Sequence, residues 1–179
     1  MPDHPLTDLF ETITEKNFRR IGLTQPELPH YVAGVLEDFV HVDRLYSILD
    51  ARGRKIEDVG EMLLEGDLRH RARSLERERD VRKHIGDFTL FYTGMFPEHI
   101  KSRRRWWRLD RWLDWIETGK ESYRIVSEFN LGPFAGEAPL YKNLADQYEF
   151  LVVGLNFVRD DLARMKDSRY ELTRDILTS

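Results

Sequence analysis

The stretch HIGDFTLFYTGMF, residues 84–96, decides how the chain folds. Apolar residues cover every side of a helix drawn through it, yet it also contains His84 and Asp87. A helix that is apolar all round lies in the middle of a protein. The run from Ile85 to Phe96 is too short, and too charged at Asp87, to span a bilayer. We therefore expect a central helix with a buried carboxylate, which needs a partner or a raised pKa because burial penalises its charge.

Helical periodicity extends over most of the chain. Apolar residues step by three and four in the second and last predicted helices. We predict helices over residues 8–21, 29–49, 56–65, 106–129 and 139–165. A further long helix is predicted to begin between residues 68 and 74 and to end at residue 95. No strand or repeat is predicted. Long helices with this spacing favour near-antiparallel packing. The sequence therefore predicts an all-α fold, with a single-domain bundle of five or six mostly antiparallel helices over 1–165 and a polar C-terminal tail over 166–179.

Composition narrows the class of protein. The chain has 179 residues, of which 41% are hydrophobic and 34% charged, which is typical of a globular domain. A formal net charge of −4 gives no general attraction to nucleic acid. The absence of cysteine excludes disulfides, thiolate metal sites and cysteine nucleophiles. The N-terminus lacks the pattern of a secretory signal, so we expect a cytoplasmic protein without a transmembrane segment.

The pair His84 and Asp87 has two interpretations. In the first, Asp87 pairs with an arginine, with His84 or with a tyrosine hydroxyl, and Gly86 lets a neighbouring helix approach closely. In the second, the pair is the floor of a pocket that performs acid–base chemistry or holds a metal or haem-like ligand. The candidates for such a pocket are His84, Asp87, Tyr92, His41 and Glu37.

Other signs of catalysis or metal binding are weak. Glu37 and His41 are four residues apart, whereas a di-iron centre needs glutamate and histidine three apart on each of two helices. The sequence contains no phosphate-binding glycine loop, GxSxG or HExxH motif. We therefore predict no catalytic residue, metal or cofactor, and these patterns favour a protein that is not an enzyme without deciding the question.

The segment KSRRRWWRLDR, residues 101–111, is the most unusual part of the sequence and is called the Arg/Trp segment below. Trp112 and Trp115, which follow this segment, can simply belong to the core, and Arg105 and Arg108 can lie over indole rings. Arginine beside aromatic residues also suits a protein or anionic-ligand interface, nucleic acid or a membrane surface. The interface candidates are Arg103, Arg104, Arg105, Trp106, Trp107, Arg108 and Arg111.

A longer pattern around the central stretch resembles a known family. ERERDVRKHIGDFTLFYTGMFPE (76–98), ESYRIVSEF (121–129), YEFLVVGLNFVRDDL (148–162) and RKIEDVGEMLLE (54–65) are similar to a bacterial family of helical proteins with a shared HIGDFxLFxxGxxPE core. The likeness covers about residues 30–162. It implies a bacterial source and a compact helical domain. It implies no activity, because none is assigned to that family.

Together these patterns favour a non-enzymatic helical protein that binds a protein partner or assembles as a homo-oligomer, with the Arg/Trp segment as the contact surface. The first alternative is a helical-bundle enzyme or sensor with a small-ligand or metal pocket around His84 and Asp87. The second is weak nucleic-acid binding through residues 101–111.

Overall fold

The computed structural model describes residues 5–67, 69, 72–102, 108–166, 171 and 174–175. These residues form nine α-helices, one short 3-10 helix and no β-strand, apart from a single bridge between Leu49 and Lys55. The α-helices are α1 (Pro5–Arg20), α2 (Glu27–Phe39), α3 (Val42–Leu45), α4 (Val59–Gly66), α5 (Leu75–Met95), α6 (Pro97–Ser102), α7 (Arg108–Ser127), α8 (Ala138–Asp146) and α9 (Tyr148–Met165). The predicted all-α class is confirmed, whereas the predicted count of five or six helices is not.

The additional helices arise where the apolar pattern continues across a break in the backbone. The helix predicted over 29–49 ends at Phe39, and the short α3 follows it. The helix predicted over 139–165 breaks at Gln147, which separates α8 from α9. Pro97 ends α5, as predicted, and also opens α6, because proline fits the first position of a helix.

Helix α5 is the centre of the molecule. Ser74 caps its start by accepting a hydrogen bond from the backbone N–H of Arg77 at 3.1 Å. Every residue from 84 to 95 is buried. The helix packs against α4, α7 and α9, with smaller contacts to α2 and α6. The prediction of a central helix over the opening stretch is therefore confirmed.

One hydrophobic cluster connects the helices, and each of the nine α-helices contributes at least one buried side chain to it. Within the described part of the chain, no helix is long and apolar enough to cross a membrane. Lys166 adopts a left-handed conformation with φ of 50° and ends α9, at the point where we predicted the polar tail to begin.

Candidate functional site

The carboxylate of Asp87 is buried, with 5% of the residue exposed, and donors from three helices hold it. The hydroxyls of Tyr31 on α2 and Tyr123 on α7 donate to Oδ1 at 2.6 and 2.7 Å. The ammonium of Lys83, one turn earlier on α5, donates to Oδ2 at 2.8 Å. Both oxygens of the carboxylate are therefore occupied by donors from the chain itself.

Tyr141 on α8 completes the group. Its ring lies 5.7 Å from that of Tyr31 and 5.9 Å from that of Tyr123, between ring centroids. The hydroxyls of Tyr31 and Tyr141 are 3.5 Å apart. We call Asp87, Lys83, Tyr31, Tyr123 and Tyr141 the tyrosine–carboxylate cluster. It connects α2, α5, α7 and α8 through polar contacts at the side of the core.

Two glycines allow the helices around this cluster to approach closely. A Cβ atom at Gly86 would lie 2.5 Å from two ring carbons of Tyr123, so glycine is needed for that ring to reach Asp87. Further along α5, the Thr89 hydroxyl is 2.8 Å from the Tyr148 hydroxyl. A Cβ atom at Gly119 would lie 2.0 Å from the Tyr148 oxygen. The close approach that we predicted at Gly86 is confirmed.

Burial and charge set the protonation states of the cluster. Burial, and then the negative charge of Asp87, raise the pKa values of Tyr31 and Tyr123 well above their ordinary value. The carboxylate of Asp87 also raises the pKa of Lys83. At neutral pH the tyrosines are therefore neutral donors and Lys83 is charged. Such a group suits the fixing of helix positions better than proton transfer near pH 7.

His84 lies in a different environment from Asp87. Its ring centroid is 5.8 Å from that of Phe39 and 5.9 Å from that of Phe88, and its Nδ1 is 3.3 Å from the Ser47 hydroxyl. Burial lowers the pKa of His84, although the charge of Asp87 partly offsets this effect. The histidine is therefore neutral near pH 7 and belongs to the contact between α5 and the segment that follows α3.

The remaining pocket candidates, Tyr92, Glu37 and His41, have different polar partners or are exposed. The Tyr92 hydroxyl is 2.9 Å from that of Tyr46, and the Tyr92 ring stacks on His99 with centroids 4.4 Å apart. Glu37 accepts a hydrogen bond from Thr7 at 2.9 Å. His41 is exposed, because α2 ends at Phe39 and the next residues form a turn.

The structure therefore does not bring His84, Asp87, Tyr92, His41 and Glu37 into one pocket. Asp87 instead has tyrosine partners, which was one of the alternatives in the first interpretation. Within the described ranges, no group of three or more histidine, aspartate or glutamate residues is arranged to hold a metal ion.

Of the interface candidates, Arg103, Arg104, Arg105, Trp106 and Trp107 lie outside the described residues. Arg108 and Arg111 belong to α7, but their side chains are likewise outside the description. Trp115, further along α7, packs on Phe88 and Tyr92 with ring centroids 5.7 and 6.0 Å apart. This tryptophan therefore packs against the core.

An apolar groove lies on the surface where the start of α5, the end of α7 and the following loop meet. It has a volume of about 660 Å³. Its apolar side chains come from Leu75, Ile125, Phe129, Leu131, Pro133 and Phe134, and its acidic ones from Glu76, Glu78 and Glu128. Leu131 is 81% exposed and Leu75 58% exposed. We call this surface the α5–α7 groove, and the sequence patterns did not predict it.

A scan against protein-family models found no match, and searches among curated proteins and among solved structures found no similar protein.

Four participants in the tyrosine–carboxylate cluster were not predicted as site residues. Lys83 precedes Asp87 by four residues, the spacing of a favourable ion pair on a helix. Tyr123 and Tyr141 occupy inward positions of their helices, where a hydroxyl needs a partner. Tyr31 lies next to Val32, which the apolar pattern places inward. The sequence thus contained one signal for this cluster: a buried carboxylate in α5 together with tyrosines at inward positions of other helices.

Proposed function

We propose that this protein is a non-enzymatic helical binding or assembly protein that acts through protein–protein contacts. The observation that carries the proposal is the α5–α7 groove. Leu131 and Leu75 expose most of their surface to water there, beside the partly buried rings of Phe129 and Phe134. A contiguous apolar patch edged by polar residues is typical of a surface that another protein covers.

The tyrosine–carboxylate cluster supports the same proposal from the inside. Its carboxylate is held by Tyr31, Tyr123 and Lys83, and its tyrosines are held in the neutral form. These contacts fix the positions of α2, α5, α7 and α8. The ends of α5 and α7 that border the groove therefore belong to helices whose positions are fixed, which reduces the entropy lost when a partner binds.

The resemblance to the bacterial helical family extends the proposal. The motif HIGDFTLFYTGMFPE is what supports membership of that family, and with it a bacterial source. The cytoplasm is the proposed compartment, on the composition described above.

A matched pair of variants tests the proposed function. Leu75→Asp combined with Leu131→Asp places charge in the groove, whereas Leu49→Asp combined with Leu64→Asp does so at leucines 43% and 42% exposed elsewhere. We expect the groove variant to lose association that the control keeps. The measurements are the solution mass by light scattering and the set of proteins that co-purify with the full chain. Identical results for wild type and both variants would contradict the proposal.

A further inference from the structure

Resting on the proposed function, we propose that the α5–α7 groove of one copy binds the Arg/Trp segment of a second copy of this chain. The partner is thus named: the same protein, presenting arginines and tryptophans to an apolar groove with an acidic rim. The contact is reciprocal, so that each of two copies supplies one groove and one segment.

The charges around the groove favour a basic occupant. Of the described residues that line it, Glu76, Glu78 and Glu128 are acidic and none is lysine or arginine. Glu128 contacts Arg124 at 2.7 Å, but that guanidinium is shared with Glu121. The rim of the groove therefore carries more carboxylates than cations.

The nearest buried cation does not neutralise this rim. Arg79 lies over the ring of Phe134, with its guanidinium carbon 4.3 Å from the ring centroid, and pairs with Glu137. It is 6% exposed, so its guanidinium is already engaged inside the protein. Arginines of an incoming segment would meet Glu76 and Glu78, for which guanidinium groups are geometrically suited partners.

The Arg/Trp segment has the complementary chemistry in its sequence. Lys101, Arg103, Arg104, Arg105, Arg108 and Arg111 supply six positive charges against the single negative charge of Asp110. Trp106 and Trp107 lie among them, and tryptophan and arginine are the residue types most enriched among those that dominate binding energy. Large aromatic rings fill an apolar groove, and the flanking arginines match its glutamates.

The length of α7 favours binding between two copies over binding within one copy. Seventeen residues separate Arg108, at the start of α7, from Ile125 in the groove. That distance is about 26 Å along a helix. Trp106 and Trp107 are within two residues of Arg108, a reach of about 7 Å even if extended. Arg108 of the segment and Ile125 of the groove therefore lie toward opposite ends of the same helix, which favours a contact between two copies over one within a single copy.

If two copies pair with their α7 helices antiparallel, both groove–segment contacts can form at once. The segment at the start of one α7 then lies against the groove at the end of the other, and the second contact follows by two-fold symmetry. The arrangement closes on itself and predicts a dimer rather than an open chain of copies.

A charge exchange tests this inference. The groove-reversed variant carries Glu76→Arg, Glu78→Arg and Glu128→Arg. The segment-reversed variant carries Arg103→Glu, Arg104→Glu and Arg105→Glu. We expect the wild type to have twice the chain mass of 21.3 kDa by light scattering. Each variant alone places like charges together, and we expect its dimer to weaken by more than about a hundredfold.

Mixing the two variants restores opposite charges at both contacts of a mixed pair. We therefore expect the 1:1 mixture to regain the dimer mass, and to lose it as salt concentration rises. The control variant carries Glu15→Arg, Glu61→Arg and Asp160→Arg. These changes alter the net charge by the same amount as the groove-reversed variant, but at exposed positions away from the groove. The control should therefore keep the wild-type mass. Circular dichroism and thermal unfolding check that each variant is folded. If the groove-reversed variant does not fold, the same three glutamates are changed to glutamine instead, and the dimer of that variant should also weaken.

The outcomes separate this inference from the proposed function. A monomeric wild type, or a mixture that stays monomeric, overturns the pairing between copies. If Leu75→Asp with Leu131→Asp still removes a co-purifying protein in that case, the groove binds a different protein and the proposed function survives. If the leucine changes alter neither mass nor partners, both proposals fail.

Discussion

Replacing Asp87 by alanine removes the acceptor that Tyr31, Tyr123 and Lys83 share. The hydroxyl of Tyr123 is completely buried, so its loss of a partner costs about 1–3 kcal/mol. Tyr31 is partly buried and loses about 1 kcal/mol for the same reason. Lys83 has 39% of its side chain exposed and regains water, so its share is at most about 1 kcal/mol.

These contributions predict that Asp87→Ala lowers the free energy of unfolding by about 2–5 kcal/mol. For a chain of this size the thermal midpoint then falls by roughly 10 °C. Urea unfolding followed by circular dichroism measures the change. Asp160→Ala is the control, because the Asp160 side chain is 52% exposed and pairs with the neighbouring Arg159 at the surface. We expect the control to stay within about 0.5 kcal/mol of wild type.

A double-mutant cycle with Tyr123→Phe isolates the central contact. If the hydroxyl acts through Asp87, the two changes together cost less than the sum of their separate costs, by about 1–2 kcal/mol. The reasoning is refuted if Asp87→Ala costs no more than the surface control. It is also refuted if the two changes are additive, because the hydrogen bond at 2.7 Å would then carry no coupling energy.

Three further predictions concern packing and pH. Gly119→Ala should destabilise the protein by about 1–3 kcal/mol in urea unfolding, because the new Cβ would lie 2.0 Å from the Tyr148 oxygen. Gly34→Ala is the control and should stabilise the protein by about 0.5–1 kcal/mol, because no atom lies within 4 Å of the new Cβ. Equal effects of the two changes would contradict the packing argument. Burial raises the pKa of Tyr148, so its contribution is complete below the unfolded value of 10.0 and falls as pH rises further. Above that pH, the free energy of unfolding of Tyr148→Phe should therefore fall less steeply than that of wild type. An equal fall in both proteins would contradict this prediction. Burial lowers the pKa of His84, so its contribution to stability is complete above the unfolded value of 6.5 and falls as pH falls. The urea midpoint of His84→Phe should therefore fall less than that of wild type between about pH 7 and pH 5, and an equal fall in both proteins would contradict this prediction.

The central position of α5 could be predicted from the sequence because its apolar residues cover all sides of the helix. The breaks at residues 40–41 and 147 could not, since the residues on either side keep the same apolar spacing. Tyr141 and Leu144 before Gln147, and Leu151 after it, are all buried in one cluster. The spacing of apolar residues reports which side faces the core, and a single turn of irregular backbone leaves that side unchanged.

For the site, the burial of Asp87 and the small size required at Gly86 could be predicted, whereas the identity of the partners could not. Periodicity places a residue on one face of its own helix. It does not state which face of another helix lies opposite. The hydroxyls of Tyr31 and Tyr123 meet Asp87 across 56 and 36 residues of sequence, and only the packing of α2 and α7 brings them together.

The burial of residues 84–95 of α5 on all sides also determines how their backbone exchanges hydrogen with solvent. Residues 84–95 are buried on every side of the helix, so a small local motion does not expose their backbone amides individually. Deuterium enters this stretch only when neighbouring helices separate from it, and its exchange rate reports the opening of the whole molecule.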